Sequence, residues 1–285
     1  MAKEIYGIIG YPVKHSLSPE MQNAAFHALG IDAEYRLFEV PPSGLDSFLG
    51  SIADKKIAGL NVTVPHKIKA KEYIERHGTL NEHAVKLGAV NTIKVSGDGR
   101  LCGYNTDGPG FYRSLVEDLR FEPEGKEVFV LGAGGAARAV VMYLGNGPRA
   151  VSIFDVDAVK AAGLKSHYGK YYDPGRLNIL TDAGRIKDVI YKSDLLINAT
   201  PVGMKESDPS PVAKDLLRAG LYVYDLVYNR PLTQLVKDAN AAKAHAVTGS
   251  GMLLYQGVAA FEIWTGRKAP VAVMRKELKE SLKRG

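Results

Sequence analysis

One segment, EVFVLGAGGAARAVVMYL at residues 127–144, limits what this chain can become. Five β-favouring residues run into a glycine turn, and an unbroken helical pattern runs out of it. The turn fits G-x-G-x-x-A through Gly132, Gly134 and Ala137. The first glycine permits the tight turn, the second lets backbone approach a pyrophosphate, and the small third residue packs helix on strand. The helix start offers free N–H groups and a partial positive charge to phosphate. A bare βα turn without ligand fits the glycines alone. Asp155, at the end of the next apolar run, favours the ligand reading. An acid about 20 residues after such a turn is where NAD sites bind the adenosine ribose.

The rest of the chain repeats this alternation. IYGIIG, AEYRLFEV and IAGLNVTVP read as strands, with helices between them. Ser18 reads as a helix N-cap with Pro19 behind it, and Gly30 as the stop. Pro65 ends a strand before a helix that Gly78 closes. AVNTIKVSGDGRLCGYN reads as a hairpin turning at Ser96–Gly99. Beyond Gly108 come a helix, the glycine-turn unit, and strands in AVSIFD, LNIL, SDLLINATP and LYVYDLVY. MLLYQGVAAFEIWTG and residues 272–284 read as the closing helices. Strand–helix alternation implies an α/β fold with parallel sheets and right-handed crossovers. The pattern changes near Gly108 and again near Met252, so 285 residues divide into two domains joined by ordered segments.

Composition narrows the function. At 46% apolar residues, the chain can bury real cores. No apolar run approaches the roughly 20 residues of a membrane span, and no signal-peptide pattern opens the chain, so we expect a cytoplasmic protein. The single cysteine, Cys102, excludes an internal disulfide and a zinc cluster, and it reads as a half-buried small side chain. The net charge is +6, but Lys and Arg are interspersed with acids, as in KELKESLKR. That describes a mixed surface attracting small anions, with no nucleic acid expected. Two charged residues stand at strand ends, where open α/β sheets bind ligands. Lys67 in NVTVPHK begins a helix, at the end where the dipole disfavours a cation. Asp107 in GYNTDG precedes a glycine. Singly they read as a solvated lysine and an N-cap; together they form a candidate acid/base pair.

With these residues in view, the chain resembles the shikimate dehydrogenases over nearly its whole length. The matching blocks are GYPVKHSLSPEMQNAAF, GLNVTVPHK, LGAVNT, GYNTDGPG, GAGGAARA, NATPVGM, DLVYNRPLT and GSGMLLYQG, in the family's order. The resemblance implies a shikimate-binding catalytic domain at residues 1–107 plus 253–285 and a Rossmann-type dinucleotide domain at 108–252. The C-terminal helices return to the first domain. It implies reversible hydride transfer between a nicotinamide and the C3 position of shikimate, in the pathway to aromatic amino acids. Lys67 and Asp107 become the catalytic residues. Ser16 and Ser18 resemble the hydroxyls that hold the substrate carboxylate, with Thr63, Asn91, Tyr228 and Gln256 as further substrate-binding residues. Read without the family, Ser18 is a helix cap, Asn91 a turn former, Tyr228 a packing aromatic and Gln256 a solvated helix residue. The cofactor set is Gly132, Ala133, Gly134, Gly135, Ala136, Asp155, Thr200, Gly249 and Met252. No metal is implied, and the protein is expected as a monomer or homodimer.

The chain departs from the family at Phe154-Asp155-Val156-Asp157. Members that use NADP carry an arginine-bearing stretch such as Asn-Arg-Thr there. A 2′-phosphate would meet carboxylates here, and Lys160 is the nearby cation, on a helix surface. We therefore expect NAD rather than NADP, the pattern of the quinate/shikimate dehydrogenase branch. The two serines of HSLS resemble the shikimate-selective version, with quinate as a secondary substrate. The alternatives are a quinate dehydrogenase, an enzyme for a modified shikimate, or a non-catalytic metabolite sensor. Intact Lys67 and Asp107 speak against the sensor.

Overall fold

The computed structural model describes residues 3–284. The chain divides into two compact units, Met1–Thr106 with Gln256–Gly285, and Asp107–Tyr255.

In the first unit the strands and helices alternate as β1 (Glu4–Gly10), α1 (Ser18–Ala28), β2 (Ala33–Glu39), α2 (Leu45–Gly50), β3 (Ile57–Val62), α3 (Lys67–His77), β4 (Gly78–Leu80), α4 (Glu82–Leu87), β5 (Thr92–Val95) and β6 (Leu101–Tyr104). Among the described residues they form one six-stranded sheet of order β2-β1-β3-β5-β6-β4. β1 runs parallel to β2 and β3, while β5 runs antiparallel to β3 and β6. Because β5 is reversed, its first residue lies beside the last residues of β3 and β6. One edge of the sheet thus collects the ends of β1, β3 and β6 and the start of β5.

Side-chain alternation along β3 shows how the unit packs. Leu60 and Val62 point into an apolar cluster with Leu45, Leu49, Ile74 and Ile93. Gly59 and Asn61 point to the other face. There a Cβ on Gly59 would lie 2.5 Å from the Trp264 ring. The Trp264 indole N–H donates to the Ile93 carbonyl at 2.9 Å, and the ring packs on Tyr6 with centroids 5.3 Å apart.

The second unit contains α5 (Asp107–Glu117), β7 (Glu127–Leu131), α6 (Gly135–Leu144), β8 (Ala150–Phe154), α7 (Ala158–Tyr168), β9 (Leu177–Ile179), α8 (Ile186–Lys192), β10 (Leu195–Asn198), β11 (Tyr222–Asp225), α9 (Gln234–Ala241) and β12 (His245–Thr248). The sheet order is β12-β11-β10-β7-β8-β9 and every pair is parallel. This is the doubly wound order of the dinucleotide-binding fold, with its switch point between β7 and β10. α10 (Ser250–Thr265) follows, and α11 (Val271–Arg284) ends the chain.

The α/β class and the glycine-turn unit stand as the sequence indicates. Three short elements escape it. β12, HAVT, is a four-residue edge strand with no alternation to detect. β4 and α4 fall in GTLNEHAVKL, where α4 is fixed by local chemistry. The Asn81 side chain accepts from the Ala84 N–H at 2.9 Å, and Gly88 closes the helix at φ +70°. One cap also differs: the helix begins at Ser18, preceded by Leu17 with no side-chain cap bond. It is the Ser16 hydroxyl that accepts from the Ser18 N–H, at 3.3 Å.

The Gly59–Trp264 contact yields a stability prediction. Gly59→Ala should cost about 1–3 kcal/mol, because the methyl must displace a buried indole held by its own hydrogen bond. Urea unfolding should show a lower midpoint at unchanged slope, with the Trp264 fluorescence transition shifted alongside it.

Candidate active site

Each unit presents candidate residues on the carboxyl edge of its own sheet.

In the first unit, the turn that begins at the end of β3 carries Thr63 and Lys67. The Thr63 N–H donates to the Ile9 carbonyl at 2.9 Å, fixing the turn to β1. His66 is fully buried, and its Nε2 lies 2.7 Å from the Val40 carbonyl oxygen. The Lys67 carbonyl accepts from the Val90 N–H at 2.9 Å. The lysine backbone is thereby pinned on both sides, and its side chain is half-buried.

Asn91, predicted from the family blocks, is the node of a buried polar network. Its Nδ2 donates to Thr106 Oγ1 at 3.0 Å, and its Oδ1 accepts from the Thr106 N–H at 2.8 Å. Asn61 Nδ2 donates to the Asn91 carbonyl at 3.2 Å and to Thr92 Oγ1 at 3.1 Å. The Tyr35 hydroxyl donates to Asn61 Oδ1 at 2.7 Å. Burial pushes the Tyr35 phenol well above its ordinary range, so it stays a donor. Sequence reasoning missed Asn61, Tyr35 and Thr106. The available signal was Asn61, a polar residue inside the apolar strand IAGLNV. Ser18 is buried and Ser16 half-buried at the start of α1.

Gln256 lies in α10, one residue before a close contact with α1. A Cβ on Gly257 would collide with the Met21 side chain, and Gln22 Nε2 donates to the Gly257 carbonyl at 2.9 Å. Asp107 opens α5 directly after Thr106.

In the second unit, the glycine turn follows β7. Gly132 takes φ +99°, and a Cβ there would sit 2.9 Å from the Ala199 carbonyl oxygen and 3.3 Å from Thr200 Cγ2. Only glycine satisfies both the angle and the space. Gly134 precedes α6 without a side-chain cap bond, and Gly134, Gly135 and Ala136 are exposed. The turn thus offers uncapped N–H groups at a helix N-terminus, the arrangement that suits a pyrophosphate.

Asp155 reaches this turn directly. Its Oδ2 accepts from the Ala133 N–H at 2.6 Å and its Oδ1 from the Asp157 N–H at 2.8 Å. It therefore holds the loop. Each oxygen retains a lone pair for a further donor. Asp157 caps α7, accepting from the Val159 and Lys160 N–H groups, both at 3.1 Å. Those bonds and the Lys160 ammonium at 3.2 Å hold its carboxyl below the usual range. Val156, between them, is 93% exposed.

The loops after β10 and β11 complete this edge. The Thr200 hydroxyl donates to Asn198 Oδ1 at 2.7 Å. Tyr228 is exposed at 44%. The Gly249 N–H donates to the Val227 carbonyl at 3.0 Å, and its Cα is packed against Leu226 backbone with no room for a side chain. Met252 sits half-buried in the first turn of α10. The residues predicted for the cofactor, together with Tyr228 and Asp107, thus lie on one unit; Ser16, Ser18, Thr63, Lys67, Asn91 and Gln256 lie on the other.

Comparison with known proteins bears on both units. Residues 8–93 match the family model described as shikimate dehydrogenase substrate binding domain. Residues 249–279 match the model described as shikimate 5'-dehydrogenase C-terminal domain. The shikimate dehydrogenase (NADP(+)) of Methanopyrus kandleri is 44% identical over 282 residues, covering 98% of this chain and 96% of that protein. The structure of shikimate 5-dehydrogenase from Listeria monocytogenes in complex with shikimate and NAD superposes with a TM-score of 0.88 at 33% identity, covering 96% of each chain. Quinate dehydrogenase from Corynebacterium glutamicum in complex with NAD gives a TM-score of 0.90 at 29% identity, covering 98% of this chain and 99% of that one. With 44% identity to a named relative over 98% of the chain, and with the glycine turn and strand-end residues in place, the chain belongs to the shikimate dehydrogenase family, oxidoreductases acting on a CH–OH group.

Proposed function

We propose that the protein interconverts 3-dehydroshikimate and shikimate with a nicotinamide dinucleotide, preferring NAD, and that quinate is a secondary substrate. The first unit is the shikimate-binding domain and the second the dinucleotide domain. The observation that carries this reading is the Gly132 turn, shaped by a positive φ and a backbone contact, with uncapped N–H groups beyond it. These residues fit a dinucleotide. When bound, it supplies or accepts the hydride.

The chain's own residues do the rest. Ser16, Ser18 and Thr63 bind the substrate carboxylate, Asn91 holds the ring hydroxyls, and Gln256 closes over the substrate. Hydride arrival at the ketone carbon leaves an alkoxide. Lys67 donates a proton from its ammonium to that oxygen and, in the reverse direction, takes the hydroxyl proton as a neutral amine. Asp107 is the second catalytic residue of this reading. Tyr228 is a further substrate-binding residue. Asp155 accepts from the ribose hydroxyls. Thr200, Gly249 and Met252 shape the nicotinamide end of the dinucleotide site.

The NAD preference rests on the loop after β8. A 2′-phosphate there meets the Asp155 and Asp157 carboxylates, an exposed Val156, and a Lys160 already paired with Asp157. Like charges at that range disfavour it. The relative from Methanopyrus kandleri is named for NADP(+), so the preference turns on this chain's own loop.

Two experiments test the proposal. Lys67→Ala should lower kcat by about 10²–10⁴-fold, the usual worth of a positioned acid/base, with the shikimate KM changed only a few-fold. Near-normal turnover would remove Lys67 from its role. Wild-type kcat/KM should favour NAD⁺ over NADP⁺ by at least about tenfold, equivalent to 1.4 kcal/mol, and Val156→Arg should narrow that ratio. A ratio at or below one refutes the preference.

A further inference from the structure

The second sheet buries a carboxylate that the proposed chemistry does not use. Asp225, the last residue of β11, is 0% exposed. Its Oδ1 accepts from Asn198 Nδ2 at 2.9 Å and from the Val227 N–H at 3.1 Å, and its Oδ2 accepts from the Thr233 hydroxyl at 2.5 Å. None of these three donors is a cation. Burial pushes the carboxyl up from its ordinary range, while the Thr233, Val227 and Asn198 bonds pull it back. A buried acid needing three neutral donors is costly to keep unless those donors must be held.

Each donor leads into a loop on the cofactor edge. Asn198 is paired across the ladder with Asp225. Its Oδ1 accepts from both the N–H and the hydroxyl of Thr200, and its Nδ2 also donates to the Val202 carbonyl at 3.0 Å. Val227 precedes Tyr228. Thr233 caps α9 through the Val236 N–H at 3.3 Å, closing the loop that contains Tyr228. The left-handed Gly203, φ +108°, lies against the same Thr233 and Asp225. One carboxylate therefore sets both loops that carry Thr200 and Tyr228.

We propose that Asp225 is a positioning residue for the nicotinamide end of the dinucleotide site, acting through Asn198 on Thr200 and through Val227 and Thr233 on the Tyr228 loop. This rests on the reading that the edge binds a dinucleotide. The test is calorimetric binding of NAD⁺ and of shikimate, each alone, to the full chain. Asp225→Ala should raise the NAD⁺ Kd at least tenfold and the shikimate Kd by a clearly smaller factor, because only the Tyr228 arm reaches a substrate-binding residue. Asp225→Asn keeps the shape and part of the acceptor set, so it should recover part of the loss. In the Asp225→Ala/Thr200→Val double variant, the NAD⁺ Kd should be no worse than in the weaker-binding single variant, because both act on one chain of contacts. Equal weakening of both ligands, or multiplicative losses in the double variant, overturns the proposal. If Asp225→Ala fails to fold, Thr233→Val removes one donor and should give the same split at smaller size; an unchanged NAD⁺ Kd there also overturns it. A wild-type protein that binds shikimate but no dinucleotide defeats the underlying reading itself, and the proposal with it. Normal wild-type binding with no split in the variants defeats the proposal alone.

Discussion

The second unit depends on one close approach, the backbone of Gly132 against the Ala199 carbonyl. No side chain fits between them, and the φ of +99° admits none without strain. This contact brings the turn after β7 beside the loop after β10, at the switch point of the sheet. Asp155 secures the same turn from the other side by accepting the Ala133 N–H. The uncapped start of α6 is thus presented in a fixed geometry, so a phosphate meets donors that are already aligned.

The two units solve a similar problem with similar means. Both sheets end, at the edge that carries the candidate residues, in polar side chains satisfied by one another. In the first, Tyr35, Asn61, Thr92, Asn91 and Thr106 form a connected set. In the second, Asn198, Asp225, Thr200 and Thr233 do so. Such networks rigidify when complete and are costly when broken. Both place loops that hold candidate ligand groups on strands whose register is set by burial. A site on a rigid edge can hold reacting groups close and exclude water.

The sequence made the α/β class legible because strand–helix alternation and the glycine turn are local signals. The place of Asp155 at the end of the strand after the glycine turn was legible from spacing. Its two backbone bonds were not, since they depend on the turn folding back over β8. Asp157, whose place just before a helix suits a cap, is one. Ser18 illustrates the reverse case, a residue with cap chemistry that lies inside the helix while Ser16 does the accepting. The polar networks were hidden because their longer links join positions 15 to 31 residues apart, such as Asn91 with Thr106, Tyr35 with Asn61 and Asn61 with Thr92. Only strand pairing brings these together. β12 escaped for a simpler reason, because four residues on a sheet edge carry too little periodicity.

The account holds that a hydride leaves the carbon of shikimate bearing the C3 hydroxyl and reaches a nicotinamide held on the Gly132 edge. Shikimate deuterated at C3, incubated with the protein and NAD⁺, tests this most directly, with the reduced dinucleotide analysed by mass spectrometry. The account predicts one deuterium on each reduced nicotinamide. Reduced dinucleotide without deuterium, label released to water, or no reduction at all would contradict it.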